Sequence, residues 1–347
     1  MSEQLDLFGL EAITPARPTL PAPITVTRIT APTATPAAPT PPAPPQVPTH
    51  GAGARATMTR RPAAEVAERA AAAWHSCRVG DGIAIPLGVV AALTLLRQVG
   101  RDGTPVADLI LAMDRSALVE FHRTIWERTW LAHPYLVEVA RPIHDWLQHD
   151  PSPKVADAVY TVTRAAIRNG LLHITGDPDP AQRSHADLLG LLLTCLRSAG
   201  ARGALSEFHT PPEVATLIAR MLITPGSLQP GQWLGEPAAG TGGMVRAAAQ
   251  VMREHGMNPH QFGWWMGEID PLAAACAAVN AIVWDLGPNV LVYVGDTLAE
   301  PDGPQRAHAH RQAVLEHYSR LMEVAALAAA VRQVEALLDR MEGDRSA

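Results

Sequence analysis

Glu236-Pro237-Ala238-Ala239-Gly240-Thr241-Gly242-Gly243 is the stretch that decides how this chain folds. An extended segment at 232–234 runs into it, and a helical pattern over 244–253 runs out of it. A loop between a strand and a helix must turn sharply and let backbone approach a ligand. Gly240, Gly242 and Gly243 allow this, because they carry no Cβ and accept positive φ. The helix that starts near Gly243 aims its free N–H groups into the same space. A glycine loop alone is a weak sign, since many dinucleotide sites share it.

Working outward, the alternation continues. Residues 262–266 and 290–294 read as strands, and 272–284 as a helix between them. Upstream, 210–222 reads as a helix, with Thr210 as its cap, Pro211 and Pro212 in the first turn and Glu213 closing a capping box. Strands interleaved with helices predict a right-handed parallel α/β sheet of about three strands. Ligands in such sheets bind at the carboxyl ends of the strands. Glu268 ends the second strand, where an acid can take ribose hydroxyls at about 1.5–3 kcal/mol per charged bond. Asp296 ends the third and is placed to accept from an adenine amino group, and Ile269 to cover a ring face. The spacing suits a pocket for a nucleoside cofactor. Taken singly, Glu268 and Asp296 also read as ordinary capping or loop acids.

The rest of the chain divides by composition. Residues 1–60 are rich in Ala, Pro and Thr, with few large apolar side chains, and are expected to form a disordered tether. Its start differs: Gln4-Leu5-Asp6-Leu7-Phe8 resembles the peptide by which bacterial DNA-processing proteins dock on the replication sliding clamp. Leu5, Leu7 and Phe8 are the expected anchors and Gln4 the register-setting amide. A short helix folded back on the domain, or a chance match, are the alternatives. Residues 61–200 read as a helical domain, with helices expected at 63–73, 85–96, 118–130, 135–147, 155–169 and 186–197. Residues 201–300 form the expected cofactor domain. Residues 301–347 are expected as one amphipathic helix over 305–341, with Leu321, Val324, Leu327, Val331, Val334 and Leu338 forming a coiled-coil-like seam. That seam suits self-association, a partner chain or packing on the sheet. His308 and His310 are expected in solvent.

Composition excludes several classes. The net charge of −6 argues against a broadly basic nucleic-acid surface. Cys77, Cys195 and Cys276 form no CxxC, so neither a disulfide framework nor a zinc site is expected. No apolar run reaches membrane-spanning length and no signal pattern opens the chain, so a cytoplasmic location is expected.

From Asp187-Leu188-Leu189-Gly190 to Asp296 the sequence resembles the adenine-N6 DNA methyltransferases of the modification-subunit type found in type I restriction systems. Those enzymes carry Gly-Glu-Phe-Tyr-Thr-Pro, then Asp-Pro-Ala-Cys-Gly-Thr-Gly-Gly, then Gly-x-Glu. The present chain has Ser206-Glu207-Phe208-His209-Thr210-Pro211, the loop quoted above, and Gly267-Glu268. The resemblance implies S-adenosylmethionine as cofactor and DNA as partner. It places Phe208, Thr210, Glu236 and Gly240 around the methionine part, Glu268 on the ribose and Asp296 on the adenine.

The family's Asn/Asp-Pro-Pro-Tyr/Phe tetrapeptide, which binds the target amino group and stacks on a flipped base, does not follow Asp296 here. No catalytic residue is therefore assigned. In the family the first strand pairs with a fourth, so 232–234 is expected as an open edge, covered by the C-terminal helix, a second copy or another chain. Three functions remain: a cofactor-binding protein that does not transfer methyl groups, a split methyltransferase completed by a partner chain, and an interaction protein brought to DNA through the sliding clamp.

Overall fold

The computed structural model describes residues 52–80, 82–197 and 210–345. Gln4, Leu5, Leu7, Phe8 and Phe208 lie outside the described residues.

The chain is mixed α/β. Its first half is helical: α1 (Ala52–Ser76), α2 (Ala84–Thr94), α3 (Val106–Ala112), α4 (Arg115–Ala132), α5 (Pro134–Val139), α6 (Arg141–His144), α7 (Pro153–Arg168), α8 (Leu171–Thr175), α9 (Pro180–Arg183) and α10 (Leu188–Leu196). Local chemistry sets several of the starts. The side chains of Asp114, Ser152 and Asp187 accept from backbone N–H groups three residues on, and Pro153 sits in the first turn of α7. The tether was expected to run to 60, but α1 begins at Ala52. The single helix expected over 135–147 is broken into α5, α6 and a 3₁₀ turn at Asp145–Leu147. Pro142 explains the break: its ring removes an N–H and clashes with the carbonyl four residues back, so it fits only the first turn of a new helix.

The second half begins with α11 (Pro212–Leu222). Then come β1 (Trp233–Glu236), α12 (Gly243–Glu254), β2 (Gly263–Glu268), α13 (Pro271–Val283), β3 (Val290–Val294) and α14 (Gly303–Arg345). All pairing is parallel, in the order β1-β2-β3, with Trp233 beside Gly263 and Trp264 beside Val290. The capping box on α11 does not form. Pro211 occupies the cap position in extended backbone, no side chain caps the helix, and Thr210 stands outside it. A residue that precedes proline is pushed out of the α region, so Pro212 fixes Pro211 as extended and shifts the start by one residue.

Period-two alternation gives the sheet two different faces. Trp264, Met266, Val290 and Val292 point into a core that also contains Ala63, Leu93, Ile125 and Val162 from the helical half. One contiguous apolar cluster thus joins the two halves. α13 lies at its centre, and Ala273, Ala274, Ala275, Ala277 and Ala278 let the sheet and the N-terminal helices approach it closely. On the other face, Leu291 and Tyr293 pack against Ala307 of α14, with Trp233 and Trp265 half-buried beside them. α14 was one candidate to cover the open edge of the sheet. It lies instead across β3 and β2, and the outer edge of β1 has no strand partner among the described residues. His308 also departs from expectation, for its Nε2 is buried without a partner, while His310 packs edge-on to Tyr135 at 5.7 Å. Further along α14, Leu321, Val324, Leu327 and Val331 are exposed. No described helix is long and apolar enough to cross a membrane.

Candidate functional site

The carboxyl ends of the three strands are tied to one another. Ala239 N–H donates to Gly267 O at 2.8 Å, and Gly295 N–H to Glu268 O at 2.9 Å. Thr297 Oγ1 donates to Pro237 O at 2.8 Å. The three loops therefore converge instead of splaying. Gly267 is required at this junction, because a Cβ there would come within 2.4 Å of the Thr297 methyl and 3.2 Å of Pro237 O.

Glu268 sits at the centre. Its Oε2 accepts from Gly240 N–H at 2.7 Å and its Oε1 from Asp270 N–H at 2.8 Å. A carboxylate has about four lone-pair sites, so two remain for a ligand. Gly240 (φ +55) and Gly242 (φ +95) hold the loop in the left-handed region, which glycine enters without strain. A Cβ added at Gly240 or Gly243 would meet no heavy atom of the described residues within 4 Å. The backbone at those two positions faces open space, into which the first turn of α12 points.

The other expected residues stand around this space. Glu236 is half-buried and folds its Oε1 onto Ala238 N–H at 3.1 Å. Ile269, next to Glu268, is 61 % exposed. Asp296 is exposed, and its Oδ1 accepts from Leu298 and Ala299 N–H, which is the role of a loop acid; no hydrogen bond of the described residues reaches Oδ2. Thr210 is exposed at the start of α11. Arg220 near the end of α11 pairs with Glu254 at the end of α12 at 3.1 Å, so the two helices run side by side in the same direction. That places Thr210 at the glycine-loop end.

A latch that sequence reasoning missed fixes the loop from behind. Asp187, the cap of α10, accepts from Gly190 N–H (2.9 Å), Thr241 Oγ1 (2.5 Å) and Asn280 Nδ2 (2.9 Å). Asn280 Nδ2 also donates to Thr241 O at 2.8 Å. Gly190 makes the approach possible, since a Cβ there would stand 2.4 Å from Asp187 Oδ2 and 2.6 Å from Thr241 Oγ1. The available signal was Asn280, a polar residue on an otherwise apolar helix. A second buried anchor, Arg197 to Asp270 at 2.5 Å, clamps the cap of α13 to α10.

Cavities of about 440, 490 and 320 Å³ open elsewhere on the molecule, and neither the glycine loop, Glu268 nor Asp296 lines any of them. Cys276 is fully buried in α13, and burial raises its thiol well above the ordinary range. The described residues include no cluster of three metal-ligating side chains. No curated protein matches the chain. The family model described as N-6 DNA methylase matches residues 191–319, from within α10 to the first part of α14, so this segment is similar to that family of DNA methyltransferases.

Proposed function

We propose that the segment from Thr210 to Thr297 binds S-adenosylmethionine, and that these 347 residues do not transfer its methyl group unaided. The observation that carries the reading is the bond from Gly240 N–H to Glu268 at 2.7 Å, because it makes the acid and the glycine loop border one open space. Gly240, Gly242 and Glu236 would line the methionine end together with Thr210 and Phe208. Glu268 would hold the ribose with its free lone pairs, Ile269 would cover the adenine and Asp296 would accept from its amino group. When bound, the cofactor supplies an electrophilic methyl group. The chain's own residues bind and orient it, and none of them is assigned to receive the target amino hydrogens, since no Asn/Asp-Pro-Pro-Tyr/Phe occurs in the sequence.

Titration calorimetry on the full chain tests the site. S-adenosylmethionine should bind, and Glu268→Ala should weaken it about tenfold or more through lost charged hydrogen bonds. Unchanged affinity in a folded Glu268→Ala protein refutes the pocket. The same substitution frees Gly240 and Asp270 N–H, so a thermal midpoint measured in parallel separates a lost ligand contact from a collapsed loop.

The outer edge of β1, which has no strand partner among the described residues, favours a second reading, in which a separate chain pairs with β1 and brings the missing tetrapeptide. Tritiated methyl transfer to adenine-containing DNA should then be absent with this protein alone and appear when that chain is added. Robust labelling by this protein alone would show that another group replaces the tetrapeptide.

A further inference from the structure

A cavity of about 440 Å³ opens at the end of the sheet opposite the glycine loop, where β3 begins. The ends of α2 and α13, the start of α5 and one turn of α14 enclose it. Its volume lies within the range of about 300–1,000 Å³ typical of small-molecule sites. Leu96, Leu136 and Leu315 give it apolar walls.

Its charge is predominantly positive. Arg97, Arg183 and Arg311 all line it, and Asp285, which also lines it, is engaged by His260 Nε2 at 2.8 Å. No carboxylate of the described residues pairs with any of the three arginines. Their hydrogen bonds go to backbone carbonyls instead. Arg97 Nη1 and Arg183 Nη1 both donate to Asp177 O, at 3.2 and 2.8 Å, which brings two guanidinium groups onto one oxygen. Arg183 Nε donates to Val283 O at 2.7 Å and Arg311 Nη2 to Pro288 O at 3.1 Å.

Carbonyl dipoles satisfy these N–H groups without cancelling their charge. Arg183 is 8 % exposed, and burial pulls its guanidinium down to about 10; Arg97 and Arg253 pull further the same way, while Asp285 and Asp177 pull it back up. Burial also lowers Arg311. Cations gathered in a partly desolvated space gain strongly from an anion placed among them.

We propose that this cavity binds a small organic anion, with a phosphate or carboxylate head among Arg97, Arg183 and Arg311 and an apolar body against Leu96, Leu136 and Leu315. The site is separate from the one proposed for the cofactor, and the inference stands without it.

Calorimetry and thermal-shift measurements on the full-length protein, with phenyl phosphate, benzoate and inorganic phosphate as probes, test this. One organic probe should saturate with one-to-one stoichiometry, more tightly than inorganic phosphate, and the better of the two identifies the head group. Arg97→Gln and Arg311→Gln should each weaken it about tenfold, equal to 1.4 kcal/mol, while Glu268→Ala should leave it unchanged. Should an arginine variant fail to fold, Leu315→Trp keeps every cation and fills the apolar wall, and it should abolish binding of the organic probe. The absence of saturable binding by either organic probe up to about 10 mM, or binding that survives both the charge and the filling variants, overturns the proposal.

Discussion

The two outer edges of the sheet are finished in opposite ways. Along β3, the hydroxyl of Tyr135 donates to Val292 O at 3.0 Å and accepts from Val292 N–H at 2.9 Å, so one phenol takes the place of a neighbouring strand. Burial pushes that phenol up to about 12, so it stays neutral and keeps its proton to donate. Along β1 nothing comparable occurs among the described residues. The strand has β2 on one side only among the described residues and Trp233 is half-buried, while α11, which packs on α12, exposes Val214, Leu217, Met221 and Leu222. An unpaired strand edge and an exposed apolar helix face are both surfaces that other proteins cover or interrupt with charge. The β3 edge is closed within this chain, and the β1 edge has no strand partner among the described residues.

If the closed side carries the fold, damage there should be the most costly. Trp264 is fully buried on the core face of β2, and its Nε1 donates to Pro259 O and Leu286 O at 3.2 and 3.1 Å. Trp264→Ala removes a large ring and orphans two carbonyls, and should cost about 3–5 kcal/mol. Urea denaturation measures this. A loss below about 1 kcal/mol would show that the core relaxes into the space and would weaken the contrast between the two sides.

Acid should act on the same closed side, with a smaller effect over any one pH unit. His122 is fully buried between α4 and α7, with Nε2 at 3.0 Å from Thr163 Oγ1 and Nδ1 without a partner. Burial lowers its pKa from 6.5 to about 3. The unfolded chain therefore binds a proton between those values that the folded chain does not. Stability should be complete above pH 6.5 and fall by about 1.4 kcal/mol per unit as pH drops toward 3. His133 and His144 are also lowered, chiefly by burial, and add to the same slope. Denaturation curves at successive pH values should show His122→Phe removing one proton's share of it. An unchanged slope would mean that the imidazole already has access to water.

How much of this was legible follows from the range of each interaction. The alternation of β1, α12, β2, α13 and β3 was readable because each element has its own period and turn chemistry, and β3 was expected at the residues where it occurs. The glycine loop, Glu268 and Asp296 were readable because motif order fixes them on adjacent strand ends. The break at Pro142 and the displaced start of α11 were also within reach, since both come from one proline acting on its neighbours. Tyr135 against Val292 was not, for it joins residues 157 positions apart and depends on where α5 lands. Nor was the meeting of Asp187, Thr241 and Asn280, three groups on separate elements with ordinary local roles. The three arginines of the cavity likewise come from separate segments and share no spacing.

The smallest stability effect is expected on the open side, and it gives the sharpest test of the contrast. Leu217 and Met221 lie one turn apart on α11 and are 59 % and 72 % exposed. Ala215 and Ala219, on the opposite side of the same helix, are buried. Replacing Leu217 and Met221 with Ser removes no core contact and trades exposed apolar surface for polar. The cost should stay near the loss of helix propensity, within about 0.5 kcal/mol per residue. Sedimentation should show the change instead: if this face is where copies or partners meet, the double variant should associate less at a given concentration. A destabilisation as large as that of Trp264→Ala would place these side chains in the core of the folded protein in solution and erase the difference between the two edges.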